Sequence, residues 1–245
     1  MAQKQVKSNN TLFTVGHAGA FIGGLYDAFY PYTELKKHGN FGLGAPDKLD
    51  GELLILNNKI YQTQASGKTF EIKDTGLTPF AIVNHFKADT ILKVVAPMNK
   101  QRLYAYLDSV LPKQNNIYAI HVKGMFSAVQ TRAFPAVTQK PYIPLANMLS
   151  LQRFFKFNNV EGDLVGYRIP AYMEGPNISG HHFHFISADR KNGGHIIELL
   201  TGNITIEIDY LDSFTVSLPQ TKDFTKFDFK KDRTEEVKQV ENGKN

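Results

Sequence analysis

From residue 163 onward the sequence is divided into short apolar and β-branched runs: Asp163–Ile169, His181–Ser187, His195–Leu200, Asn203–Tyr210 and Ser213–Leu218. Gly175, Gly180, Gly193-Gly194 and Gly202 separate most of them. Runs of this length with glycine between them read as strands, and strands joined by short loops pair antiparallel. The first half is mixed. Leu103, Tyr106, Leu107 and Val110 recur at helical spacing within Asn99–Leu111, and Phe21–Glu34, Pro79–Phe86 and Leu145–Phe155 also read as helical. Leu53–Leu56 and Ile60–Thr63 flank Asn57-Asn58-Lys59, a hairpin signal, and Ile117–Val122 and Met125–Thr131 flank Lys123-Gly124, another. The expected class is α+β, with mixed, largely antiparallel sheets and packed helices in two closely associated layers or subdomains. A composition shift near 155–162 suggests a soft boundary between an N-terminal half, 12–155, and a β-rich half, 156–233. Residues 1–11 read as a loose N-terminus and 234–245 as a C-terminal tail.

Composition narrows the chemistry. Among 245 residues there is no cysteine, which removes thiol nucleophiles, disulfides and cysteine-held metals. Any metal must be held by His, Asp, Glu or water. The net charge is +5 with a pI near 9.1, but the basic residues do not form a stripe. Lys230-Lys231-Asp232-Arg233 is followed by Glu235-Glu236, a solvated mixed surface with no nucleic-acid partner. Gly39–Gly44 reads as an irregular loop without the Lys-Ser/Thr ending of a phosphate-binding loop. Lys4 and Lys7 precede Leu12–Leu25, but Thr14, His17 and several glycines interrupt that run, so it makes a poor signal peptide. With no long apolar stretch, a cytoplasmic chain that does not engage a membrane is expected.

His181-His182-Phe183-His184 is the strongest chemical signal. Alternate residues of a strand share a face with Cα atoms roughly 6.5–7 Å apart, so His182 and His184 can converge on one ion while His181 turns away with Phe183 and Phe185. Asp189-Arg190-Lys191-Asn192-Gly193-Gly194 forms a turn, after which His195 opens the partner strand. Three neutral imidazoles with further positions free are the pattern of catalytic zinc, Zn2+. His-x-His also occurs in cupin-type sites, which normally follow it with a nearby Glu. Glu198 lies too far along to serve.

The segment from Gly180 through Phe185-Ile186-Ser187-Ala188-Asp189-Arg190 to Gly193-Gly194-His195 closely resembles the zinc-binding stretch of α-acetolactate decarboxylases. Asn40-Phe41-Gly42-Leu43-Gly44 with Leu49-Asp50-Gly51-Glu52 is similar to that family's N-terminal block. Thr78-Pro79-Phe80-Ala81 also fits, and Val129-Gln130-Thr131-Arg132 with Gln139–Leu145 is similar to the central block. One departure is visible: Gly44-Ala45-Pro46 stands where the family usually has Gly-Thr-Phe. The resemblance implies a homodimer that converts (S)-2-acetolactate to (R)-acetoin and carbon dioxide in acetoin and butanediol biosynthesis. It implies zinc on His182, His184 and His195, with Glu52, Arg132 and Glu241 as active-site residues. Thr234–Glu241 has weak helical character, and Val237 and Val240 can dock it on the body, so the tail is expected to close Glu241 over the site.

Two other classes of function stand beside this one. A cupin-like, metal-dependent oxygenase or isomerase would use the His-x-His pair with a different metal. A non-catalytic, β-rich binding protein would need no metal.

Overall fold

The computed structural model describes residues 10–242. The expected loose segment, 1–11, lies almost wholly outside the described residues, as does the end of the tail. The chain begins with β1 (Thr11–Val15), α1 (Ala18–Ile22), β2 (Tyr30–Pro31), α2 (Tyr32–His38) and β3 (Phe41–Ala45). It continues through β4 (Glu52–Leu56), β5 (Lys59–Thr63), β6 (Thr69–Glu71), β7 (Leu77–Thr78), β8 (Phe80–Asn84), β9 (Thr90–Val94) and α3 (Lys100–Val110). The remainder is β10 (Ile117–Ala133), β11 (Arg153–Ile169), β12 (Gly180–Ser187), β13 (Gly193–Leu211), β14 (Ser213–Ser217), α4 (Lys222–Lys226) and α5 (Thr234–Asn242). No described helix is long and apolar enough to cross a membrane.

A seven-stranded sheet runs in the order β14-β1-β8-β3-β4-β5-β6, and a five-stranded sheet in the order β10-β11-β12-β13-β9. In the second sheet β10 pairs with both β11 and β13, and β12 bridges the same two strands, so the sheet curls back on itself. Pairing is antiparallel except between β1 and β14. The expected α+β class with mixed, largely antiparallel sheets is what the chain adopts.

The two sheets meet over one core. Leu43, Leu54 and Ile82 from the first share a buried cluster with Ala119, Val165 and Tyr167 from the second, joined by Ile22 of α1 and by Val237 and Val240 of α5. Each aliphatic side chain sealed there contributes roughly 1.5–3 kcal/mol relative to exposure. The curl of the second sheet holds its own core, which includes Leu103 and Leu107 of α3. The far side of the first sheet is covered by Tyr32 and Leu35 of α2.

That layering explains where local patterning misleads. Pro79–Phe86 is not a helix: β8 occupies it, between β1 and β3. Phe80 and Ile82 face the inter-sheet core while Ala81 and Val83 face α2, so both sides are buried and the alternation that marks a strand disappears. Ile117–Thr131 is not a hairpin. Gly124 takes a φ of 141°, which the flanking residues could not adopt cheaply, and β10 passes through it with a register shift against β13. His195–Leu200 and Asn203–Tyr210 likewise merge into β13. Phe21–Glu34 is interrupted at Gly23-Gly24, leaving only α1 and α2, and Leu145–Leu151 is a 3₁₀ turn that leads into β11. Gly39–Gly44, expected as a loop, mostly belongs to β3. The hairpin β4–β5 and the helix α3 form as expected, the former with Asn57 and Asn58 at positive φ. β11 runs unbroken through residues 155–162.

Candidate metal and active site

The geometry starts with strand alternation on β12. Phe183 and Phe185 enter the core inside the curled sheet. His181, on their side, bonds Asp108 of α3 at 2.9 Å and stacks on Tyr104. His182 and His184 face the other way. The β12–β13 ladder sets His184 directly opposite His195, and the β10–β13 ladder sets His195 opposite Arg132. Gly194 permits this convergence: it sits at φ 121°, and a Cβ there would lie 2.7 Å from the carbonyl oxygen of Arg132.

The three imidazoles each offer a nitrogen, all within 4.8 Å of one another. Their side chains are nearly sealed from solvent. Burial, reinforced by the positive charge of Arg132, pushes His182 down to about 3. Burial likewise holds His184 and His195 well below the ordinary histidine range. All three are therefore neutral near pH 7, the form that binds metal. His184 Nδ1 lies 2.6 Å from the backbone carbonyl of Leu53, and a carbonyl only accepts. That nitrogen therefore carries the proton and Nε2 has the free lone pair, the arrangement that commonly orients metal-ligating histidines. The donor set fits a divalent cation. His182 Nδ1 and Arg132 Nε are both buried with no partner among the described residues.

Charged groups surround the histidines. Arg132 donates from Nη1 to Glu52 and from Nη2 to the carbonyl of Val240 at 3.3 Å, with its guanidinium over the ring of Phe134. Glu52 Oε2 lies 3.4 Å from His184 Nε2. On another side, Glu241 Oε2 lies 3.8 Å from His182 Nε2 and 3.9 Å from His195 Nε2. Burial lifts both carboxyls to about 7, against the lowering pull of Arg132. The six residues singled out in the sequence thus come from β4, β10, β12, β13 and α5 to line one cavity.

The remaining wall is apolar, with Phe21, Ile22, Phe80, Leu145 and Ile178 among its members. Sequence reasoning did not reach these residues, because nothing in their spacing links them. The Leu53 carbonyl is a backbone atom and leaves no sequence signal. Ala45 lines the cavity, whereas Pro46 lines a separate surface groove. Glu198 lines an outer cleft and not the inner cavity, so the carboxylate beside His184 comes from β4.

Comparison with known proteins places this arrangement. A model of the α-acetolactate decarboxylase family matches residues 12–231. The chain is 37% identical to the α-acetolactate decarboxylase of Methanosarcina mazei over 234 residues, covering 96% of this chain and 81% of that protein. It is 33% identical to the Bacillus subtilis protein of the same name over 213 residues, covering 87% and 83% respectively. The crystal structure of α-acetolactate decarboxylase from Bacillus subtilis superposes with a TM-score of 0.91 at 31% identity, covering 95% of this chain and 99% of that one. The chain belongs to the α-acetolactate decarboxylase family.

Proposed function

We propose that the protein decarboxylates (S)-2-acetolactate to (R)-acetoin, with zinc on His182, His184 and His195. The observation that carries this reading is the buried cluster of three neutral imidazoles, flanked by one arginine and two carboxyls, in a chain of this family. Three imidazoles with further positions free are the donor set of catalytic zinc.

The substrate carries a carboxylate, a hydroxyl and a methyl group on the carbon next to a ketone. The three histidines would hold the zinc, and when bound it would supply Lewis-acid polarisation, the chemistry that lets the ketone accept the electron pair as carbon dioxide departs. Arg132 lines the cavity and presents a planar fork suited to the substrate carboxylate. Gripping that charge in the ground state would oppose its loss, so Arg132 acts by orienting the breaking bond.

The reaction consumes one proton per turnover, delivered to the carbon that lost the carboxylate. Glu52 is pinned by Arg132, whereas the side chain of Glu241 is 18% exposed and can be reprotonated from solvent. Glu241 is the proton donor and Glu52 the fixed carboxyl that orients substrate. Both sit near 7, the range that suits general acid–base work at neutral pH. Delivery from one side of the substrate gives one hand of acetoin.

The inner cavity is small, about 30 Å³, and Val240 and Glu241 of α5 form part of its wall. Substrate therefore requires Val240 and Glu241 on α5 to move, and the tail closes again once substrate is bound. A homodimer in the cytoplasm completes the proposal. The deciding experiment is acetoin and carbon dioxide production from racemic 2-acetolactate, with and without a chelator. Zinc-dependent release of both, with (R)-acetoin in excess, supports the reading; no acetoin from the metal-loaded protein sinks it.

A further inference from the structure

The outer face of the site has a second cavity. β12 and β13 pair only from His184–His195 to Ile186–Gly193. Before His184, β12 follows β11; beyond His195, β13 follows β10. The strands therefore fork, and a cleft of about 490 Å³ opens between them beside α3. His195 and Glu241 line both this cleft and the inner cavity.

Exposure shows which way the site faces water. The side chains of Arg132, Glu52, His182, His184 and His195 are 2–10% exposed, whereas that of Glu241 is 18% exposed. Solvent thus reaches the inner cavity past Glu241, from the forked cleft.

The cleft's charges pose a problem for an anion. Glu198 and Glu241 both line it, and among the described residues that do, Lys100, the first residue of α3, is the one lysine or arginine. Lys100 and Glu241 line the same cleft, so the lysine's charge lies on the path that leads to the inner cavity. A small carboxylate approaching without Lys100 would meet two acidic side chains. With Lys100 in place it meets a cation in the wall of the outer cleft before it reaches the inner site.

We propose that the forked cleft is the access route for the anionic substrate, and that Lys100 is the positioning residue that makes it passable to a carboxylate. The idea rests on the decarboxylase reading above. It concerns how substrate arrives and not how the bond breaks, so its signature is a split between kcat/KM and kcat. Lys100→Glu should lower kcat/KM for acetolactate by about tenfold or more at low salt, in keeping with the size of electrostatic steering. The loss should shrink at high salt, kcat and zinc content should stay within about twofold, and Lys100→Arg should restore kcat/KM.

Arg102→Glu, exposed on the same helix and absent from the cleft lining, controls for general surface charge and should change nothing. Gln101→Trp, which narrows the cleft without altering charge, should lower kcat/KM independently of salt and covers the case of a poorly folding Lys100 variant. Wild-type protein that makes no acetoin overturns the decarboxylase reading itself. Wild-type turnover with kcat/KM unchanged in both Lys100→Glu and Gln101→Trp overturns the access route alone, as does an equal fall in kcat and kcat/KM.

Discussion

Arg132 joins two parts of the protein that are far apart in sequence: its Nη2 donates to the carbonyl of Val240, 3.3 Å away, while its Nη1 holds Glu52. One guanidinium therefore ties β4, an interior strand of the first sheet, to the last turn of the C-terminal helix. A lysine carries the charge but, as a compact ammonium, cannot reproduce the planar fork.

Replacing Arg132 by Lys should cut turnover well beyond tenfold, more than ~1.4 kcal/mol in barrier, with zinc content unchanged. The same variant should be cleaved faster by protease near residue 234, since the Val240 tie is weakened. Near-normal kinetics together with normal proteolysis would confine Arg132 to an ordinary packing role.

His182→Ala and His195→Ala should each lose zinc and activity while retaining a cooperative melt, because the cores of the two sheets do not depend on the ion. His181→Ala should keep its metal: its ring faces α3, where it bonds Asp108 and stacks on Tyr104. Elemental analysis of the three variants decides the matter, and a zinc-free His181→Ala would reverse the assignment of strand faces.

The site is also a proton reservoir with opposing signs. Each imidazole's folded-state pKa is lowered, to about 3 for His182, so the unfolded chain binds more protons below 6.5 and stability rises with pH up to that point. Glu52 and Glu241 are raised from 4.5 to about 7, so the folded chain binds more protons in that window and their contribution falls as pH rises through it. In metal-free protein the two effects partly cancel between pH 5 and 6.5. The double variant Glu52→Gln/Glu241→Gln leaves the imidazoles unopposed. Its unfolding free energy should climb more steeply over that window, by up to about 1.4 kcal/mol per pH unit for each carboxyl removed. Denaturant titrations of metal-free protein at several pH values test this, and parallel curves would mean that the carboxyls are not held protonated by the fold.

The readability of this site follows the distance over which each part is specified. His182 and His184 are legible because strand alternation is a two-residue rule, and His195 because a turn-rich stretch lies between it and His184. Glu52, Arg132 and Glu241 have no local pattern of their own. They sit on β4, β10 and α5, which meet only after both sheets pack, so resemblance to a family was the one route to them. The strands misread as a helix or a hairpin, β8 and β10, share that cause. Burial on both faces erased the alternation of one, and Gly124 within the other resembles a turn until its neighbours on β13 are known.

The C-terminal helix supplies the last test. Val237 and Val240 are 8% and 2% exposed and belong to the inter-sheet core, and α5 packs on the turn at Leu145–Leu151. A chain ending at Lys238 therefore loses more than a carboxyl: removing Val240 also withdraws roughly 1.5–3 kcal/mol of buried side chain. The shortened protein should fold and bind zinc with a lowered melting temperature, and should lose most of its turnover. Val240→Ala in the full-length chain should reproduce much of the lost stability, and Glu241→Gln much of the lost turnover at nearly unchanged stability. That separation matters because a shortened chain that is merely unstable would also be slow. If the shortened protein makes acetoin within about threefold of the intact rate, a difference under ~1 kcal/mol, Glu241 does not deliver the proton. Glu52 would then be the remaining carboxyl of the site in a position to do so.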